Sequence, residues 1–241
     1  MKLIVLRAGD AAAPVAARRG EFFSWITREV GDAWAGEWAE HDIRTGEPLP
    51  GPRDADGFVI TGSSSSVTER APWMLRAEEL VREIAKAGTP LFGICFGHQM
   101  VGQALGGLVA KNPNGREIGT VEVSLLPHAP LDPIFDGLPQ RFCANHTHVD
   151  SVVELPPGAR VLATTDKEKH AAFSIGEAIK CVQFHPEIDG DAMRGYVEAR
   201  AHLIEGEGGD ARAILEGVTD APHGASTLRS FVRHVVRARA R

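Results

Sequence analysis

The segment Thr89-Pro-Leu-Phe-Gly-Ile-Cys-Phe-Gly-His-Gln-Met100 constrains the fold of this chain more than any other stretch. An apolar run, Leu91 to Ile94, ends at Cys95, with Gly93 two residues before the cysteine and Gly97 two after it. Helical spacing begins at once, with Met100, Val101, Ala104 and Leu105. The pattern predicts a buried strand, a sharp turn and a helix. A residue at such a turn is forced into a strained backbone, and small neighbours let the chain pass. A serine in this setting forms the nucleophile elbow of many hydrolases. Here the elbow carries a thiol, and the dipole at a helix N-terminus favours the thiolate, the reactive form. The alternative is a structural cysteine buried after a strand.

A second segment, Cys181-Val-Gln-Phe-His-Pro-Glu187, is another short apolar strand, and it ends in His185-Pro186-Glu187. A cysteine nucleophile needs a base, and the base needs an orienting partner. His185 supplies an imidazole. Glu187 is placed to turn back and hold one ring nitrogen, which fixes the tautomer. Pro186 stiffens the link and has no N–H, as suits a strand end. Taken alone, the segment also reads as a strand terminus with a surface His and Glu. Paired with the cysteine elbow it reads as the base and its partner.

The two motifs, Gly93-Ile-Cys95-Phe-Gly97-His-Gln99 and Gln183-Phe-His185-Pro-Glu187, resemble those of the class I glutamine amidotransferases, a family with a Cys–His–Glu triad. They lie ninety residues apart and in the family's order. Between them, Gly57-Phe-Val-Ile-Thr-Gly-Ser-Ser-Ser-Ser-Val67 resembles the strand and loop that carry part of the oxyanion hole. Thr147-His-Val-Asp-Ser-Val152 resembles the family's Ser-His-x-Asp-x-Val stretch, and Leu155-Pro-Pro-Gly-Ala159 and Ala172-Phe173 also fit. The resemblance covers about residues 1 to 188.

The resemblance implies roles for particular residues. Cys95 would attack the side-chain amide carbon of glutamine. His185 would take the thiol proton and later protonate the departing ammonia, with Glu187 orienting it. A γ-glutamyl thioester on Cys95 would be hydrolysed to glutamate. Donors to the tetrahedral oxyanion, each worth ~3 kcal/mol, map onto the backbone N–H of Phe96 and of Gly62 or Ser63. Gln99 matches a family glutamine that helps hold the substrate, and His148 and Asp150 match residues lining the substrate cleft. Two departures concern substrate range and activation rather than the triad. Gly62-Ser-Ser-Ser-Ser stands where the family's loop usually reads Gly-Gly-Pro, and serine tolerates positive φ poorly. Ala171 stands where a glutamine often precedes Ala-Phe.

Composition fits a soluble, cytoplasmic enzyme. With 241 residues, 43% hydrophobic and 24% charged, the chain can bury a sizeable core as one domain. No apolar run approaches the ~20 residues of a membrane helix. The N-terminal Met1-Lys-Leu-Ile-Val-Leu-Arg7 reads as a first buried strand rather than a signal peptide. Three cysteines argue against a disulfide framework. A net charge of −6 gives no case for a nucleic-acid surface. Strands and helices alternate. A helix from Pro14 to Val30 closes at Gly31. A strand over Gly57–Thr61 is followed by a helix from Pro72 with Leu75, Leu80, Val81 and Ile84 on one side and Gly88 beyond its end. Gly106-Gly107 ends the elbow helix. Strands flank Asn112-Pro-Asn-Gly115, and more follow at Val161–Thr165 and Ala178–Phe184. The pattern predicts an α/β three-layer sandwich around a mostly parallel sheet over residues 1–188.

Residues 189–241 read as a helical extension packed on the same domain. Met193, Tyr196, Val197 and Leu203 line one helix, Asp210 caps a second, and Ser226 caps a third with Leu228, Phe231, Val232, Val235 and Val236 inward. Arg229, Arg233, Arg237, Arg239 and Arg241 read as its solvated face, the alternative being a basic helix for a partner or nucleic acid. Cys143-Ala-Asn-His146-Thr-His148 has metal-ligand spacing, with Cys181 and His185 within reach of joining it, and His146 and His148 share one strand face. No Cys-x-x-Cys pair exists, so no metal is expected, and Cys143 and Cys181 read as buried core thiols. No cofactor is expected either, and no phosphate-binding Gly-x-x-x-x-Gly-Lys-Ser/Thr loop is present. Three functions follow: an amidotransferase subunit that feeds ammonia to a separate synthase, a stand-alone γ-glutamyl peptide or conjugate hydrolase, and a non-catalytic binding module on an inherited fold.

Overall fold

The computed structural model describes residues 1–239; Arg241 and the side chain of Arg239, expected on the basic helix, lie outside the described residues. The strands are β1 (Lys2–Arg7), β2 (Glu37–Asp42), β3 (Gly57–Ile60), β4 (Leu91–Ile94), β5 (Leu108–Lys111), β6 (Glu117–Leu125), β7 (Arg141–His148), β8 (Asp150–Glu154), β9 (Ala159–Thr164), β10 (Ala172–Ile175) and β11 (Ile179–Val182). The main helices are α1 (Ala13–Arg19), α2 (Phe22–Val30), α3 (Pro72–Ala87), α4 (Phe96–Ala104), α5 (Gly190–Gly206), α6 (Ala211–Gly217) and α7 (Pro222–Ser230), the last continued by a π-helical turn, Phe231–Val236.

Nine strands form one sheet in the order β2-β1-β3-β4-β11-β10-β9-β6-β7. Pairing is parallel from β2 through β11 and antiparallel from β11 to β7. β5 and β8 form a separate antiparallel pair. Alternation along β1 sends Leu3 and Val5 to one core and Ile4 and Leu6 to the other. Val15, Trp25, Tyr196 and Phe231, from α1, α2, α5 and the π-helical turn, cover the first face; Leu80 and Met100, from α3 and α4, cover the second. The result is the expected three-layer α/β sandwich. The last helices sit in the same core: Phe231 meets Phe92 with ring centroids 5.1 Å apart.

Several elements differ from expectation. The Pro14–Val30 helix is two helices, because Gly20 adopts φ 81 between them. β2 was not foreseen: Glu37-Trp-Ala-Glu-His-Asp42 has no apolar alternation, and as an edge strand it has a single partner. Leu75 and Leu203, assigned to buried faces, are 44% and 42% exposed; Met74 and Ala77 complete the inner face of α3 instead. Ser226 does not cap the last helix. That helix starts four residues earlier at Pro222, and the Ser226 hydroxyl donates to the His223 carbonyl. Cys143 is exposed on β7, whereas Cys181 is buried and its thiol pKa is pushed up by burial. Asp210 does cap α6, accepting from the Ala213 N–H at 2.9 Å. Arg229 pairs with Glu29 and Arg233 with Asp32, so two arginines of the basic face tie it to α2 and the turn after it.

Candidate active site

Cys95 lies between β4 and α4 with φ 50 and ψ −100, one of two non-glycine residues with positive φ among those described. The turn closes tightly. A Cβ on Gly97 would lie 2.5 Å from the Ile60 carbonyl oxygen, and one on Gly93 2.7 Å from the Gly97 carbonyl oxygen. The flanking glycines are therefore required by contact with backbone. The Cys95 N–H bonds the Val182 carbonyl at 2.9 Å, locking the elbow to the neighbouring strand.

That neighbour is β11. Because β4 and β11 run parallel with Ile94 opposite Val182, Cys95 and the His185-Pro186-Glu187 turn leave the same edge of the sheet. Ligand sites in open α/β sheets form at such carboxyl edges. The imidazole of His185 is buried, and its Nδ1 lies 2.7 Å from Glu187 Oε1. With the Nδ1–H donating to the carboxylate, Nε2 is the free end of the ring, and among the described residues no group hydrogen-bonds it. Phe22, the first residue of α2, stacks beside this imidazole at 6.4 Å between centroids. Burial opposes charge on His185, but the Glu187 and Cys95 charges outweigh it and raise its pKa to about 10. Asn145 holds the turn at both ends: its carbonyl accepts from the His185 N–H and its side chain donates to the Ile188 carbonyl, both at 2.8 Å.

Cys95 lines two adjoining cavities. The first, about 290 Å³, is walled by His185, Phe22, Tyr196, Arg44 and residues 10–13. The second, about 440 Å³, is walled by Gln99, His148, Asp150 and Arg116. Ser63, Ser64, Ser65, Thr147 and Arg200 border both. The expected residues are thus distributed as follows. Gln99 donates to the Asp150 carbonyl at 2.8 Å and to Gln183 Oε1 at 3.1 Å, at the floor of the second cavity. The Asp150 carboxylate accepts from Ser66, which also caps the short turn Val67–Glu69. Phe96 opens α4, so its N–H is among those without an intrahelical acceptor. Gly62 lies against the imidazole: a Cβ there would meet His185 Cε1 at 2.8 Å. Residues 62–66 all avoid the left-handed region, so the serines that replace the family's Gly-Pro carry no backbone strain.

Sequence reasoning missed several groups of this cleft. Glu117 projects from β6 against His146 and His148 of β7, whose Nδ1 and Nε2 lie 3.0 and 3.1 Å from Glu117 Oε2. These three buried residues form the candidate metal-ligating group among the described residues. Cys143 and Cys181, the cysteines of the spacing pattern, are not part of it. His148 Nδ1 also meets the Asp150 carbonyl at 3.0 Å, and Thr165 donates to Glu117 Oε1 at 2.6 Å. The contacts form a buried polar network behind the second cavity. Burial lowers the His146 pKa against the pull of Glu117. Burial would raise the Glu117 pKa, but its bonds to His146, His148 and Thr165 hold it well below the usual carboxylate range. Phe22, Asn145, Tyr196 and Arg200 also had no local signature of a role here.

The family model for class I glutamine amidotransferases matches residues 38–200, more than half of the chain. The chain belongs to the class I glutamine amidotransferase family. Among curated proteins this family member is similar to γ-glutamyl peptidase 4 of Arabidopsis thaliana, 28% identical over 188 residues, covering 75% of this chain and 74% of that protein. It is also similar to the glutamine-hydrolysing GMP synthase of Aeropyrum pernix, 37% identical over 143 residues, covering 59% of this chain but 26% of the synthase. Among solved structures, a glutamine amidotransferase from Thermotoga maritima superimposes with a TM-score of 0.77 at 26% identity, covering 98% of both chains. Among the described residues no helix is long and apolar enough to cross a membrane.

Proposed function

We propose that this family member hydrolyses γ-glutamyl amide bonds with Cys95 as nucleophile, His185 as general base and acid, and Glu187 as the group that orients His185. The observation that carries this reading is the cysteine at a left-handed elbow, sharing one cavity with an imidazole whose far nitrogen is tied to a buried carboxylate. The Cys95 thiolate attacks the γ-carbonyl carbon while His185 holds the proton. The C–N bond then breaks, and the imidazolium Nε2 protonates the leaving amine. A γ-glutamyl thioester remains on Cys95. Water adds to it, gives its proton to His185, and glutamate leaves with the thiolate regenerated. The Phe96 N–H and that of Gly62 or Ser63 are the candidate oxyanion donors. Gln99, His148 and Asp150 border the cavity assigned to the γ-glutamyl half. Residues 189–241 act as an extension of the catalytic domain, since α5 supplies Tyr196 and Arg200 to the cleft walls.

Two features favour leaving groups larger than ammonia, and hence a γ-glutamyl peptide or conjugate. A cavity of about 290 Å³ continues past Cys95 on the His185 side. The chain also matches three quarters of a γ-glutamyl peptidase but a quarter of a GMP synthase. The second reading, a glutaminase that delivers ammonia to a separate synthase, is supported by the resemblance to GMP synthases. Glutamate release by the purified chain, from glutamine and from γ-glutamyl peptides, with Cys95→Ser as blank, separates them. Faster Cys95-dependent turnover of peptides supports the hydrolase. Turnover of glutamine alone, or none until a synthase is added, supports the subunit.

A further inference from the structure

Three arginines border the two cavities that meet at Cys95, and two are already neutralised. Arg44 is bound by Asp10 and Asp42, and Arg116 by Glu207 at 2.8 Å. Arg200 is different: among the described residues it has no hydrogen bond or ion pair. Its guanidinium stacks over the Tyr196 ring at 4.7 Å. Burial lowers its pKa; Tyr196 and Cys95 pull it up and the nearby Arg116 charge pushes it down. An arginine keeps its proton in proteins, so the cleft holds a cation that no carboxylate among the described residues pairs.

Arg200 borders both cavities, but the ring beneath it favours one of them. Tyr196 is one helical turn before Arg200 on α5 and belongs to the His185-side cavity alone. Its hydroxyl accepts from the Ala12 N–H at 3.2 Å, so the platform under the guanidinium is anchored to the cavity wall. In the reaction proposed above, His185 delivers its proton to the leaving amine, so this cavity receives the leaving half of the substrate. A planar, pre-positioned guanidinium suits a carboxylate there. We infer that Arg200 binds a carboxylate on the leaving half, so that the fitting substrate is a γ-glutamyl peptide ending in a free carboxylate. The inference rests on the γ-glutamyl hydrolase reading. Free glutamine offers no such group, because its leaving half is ammonia.

The test measures kcat and KM for a γ-glutamyl dipeptide with a free C-terminal carboxylate and for its C-terminal amide, using wild type, Arg200→Gln and Arg200→Lys. The wild type prefers the acid by roughly 10- to 100-fold in kcat/KM, the range of one charge-assisted pair. Arg200→Gln erases that preference mainly through KM for the acid, and Arg200→Lys restores part of it. Equal kcat/KM for acid and amide in the wild type overturns the inference, and this arm stands even if the variants fail to fold. A matching rise in KM for both compounds in Arg200→Gln places the arginine on the glutamyl half and overturns it as well. Cys95-dependent glutamate release without an acid preference leaves the hydrolase reading standing. Absence of such release from either compound removes both.

Discussion

His185 is buried, yet two negative neighbours raise its pKa from 6.5 to about 10. A raised pKa means that protonation favours the folded state. The contribution of His185 to stability is therefore complete below about pH 6.5 and vanishes as pH climbs through about 10. Replacing Glu187 with Gln removes the larger of the two charges that hold the proton. Glu187→Gln should fold, lose at least ~10²-fold in turnover, and shift the alkaline limb of the kcat/KM profile to lower pH. A pH–rate profile that matches wild type would reduce Glu187 to a strand-end residue. At Cys95 the prediction is covalent: a glutamine-analogue electrophile labels the wild type, and Cys95→Ser abolishes the label. Persistent labelling on exposed Cys143 would sink the nucleophile assignment. The residue types and spacing of Cys95, His185 and Glu187 were legible in sequence, because each motif is local. The role of Asn145 was not, because His185 and Ile188, which it holds, lie far along the chain.

At the scale of elements, the elbow depends on close backbone contact. The Cβ of Gly97→Ala would sit 2.5 Å from the Ile60 carbonyl oxygen of β3, which cannot rotate away as a side chain could. The expected loss is about 1–3 kcal/mol, the cost of overpacking, read as a lower Tm and reduced labelling of Cys95. Asn145→Ala removes the side-chain bond to the Ile188 carbonyl in a buried position. It should cost about 1–3 kcal/mol and depress kcat more than KM, since the turn carrying His185 loosens. An unchanged kcat would show that β11 and Pro186 position the histidine unaided. Strand–turn–helix at Cys95 could be read from periodicity. The break between α1 and α2 could not: Phe22, Phe23, Ile26 and Val30 are helically spaced, and Gly20 decides the break through a positive φ. β2 was equally silent, since an edge strand with polar residues lacks the alternation that marks a half-buried one.

At the scale of the whole molecule, the C-terminal helices complete the core rather than decorate it. Phe231 is fully buried against Phe92 of β4, directly under the elbow strand. Phe231→Ala should cost about 3–5 kcal/mol, seen in chemical denaturation, whereas breaking the partly buried Arg229–Glu29 pair should cost about 1 kcal/mol. A small effect at Phe231 would mean that the segment docks without supporting the sheet. By itself, the sequence determined the strand–helix alternation, the elbow, the two motifs and the family they resemble, because those follow from local spacing and backbone sterics. The tertiary structure alone decided that β11 inserts beside β4. It also grouped Glu117 with His146 and His148 and brought α5, with Tyr196 and Arg200, to the wall of the cavity that holds Cys95 and His185. Those contacts depend on strand order and helix packing, and sheet pairing between distant segments leaves no local periodicity to read.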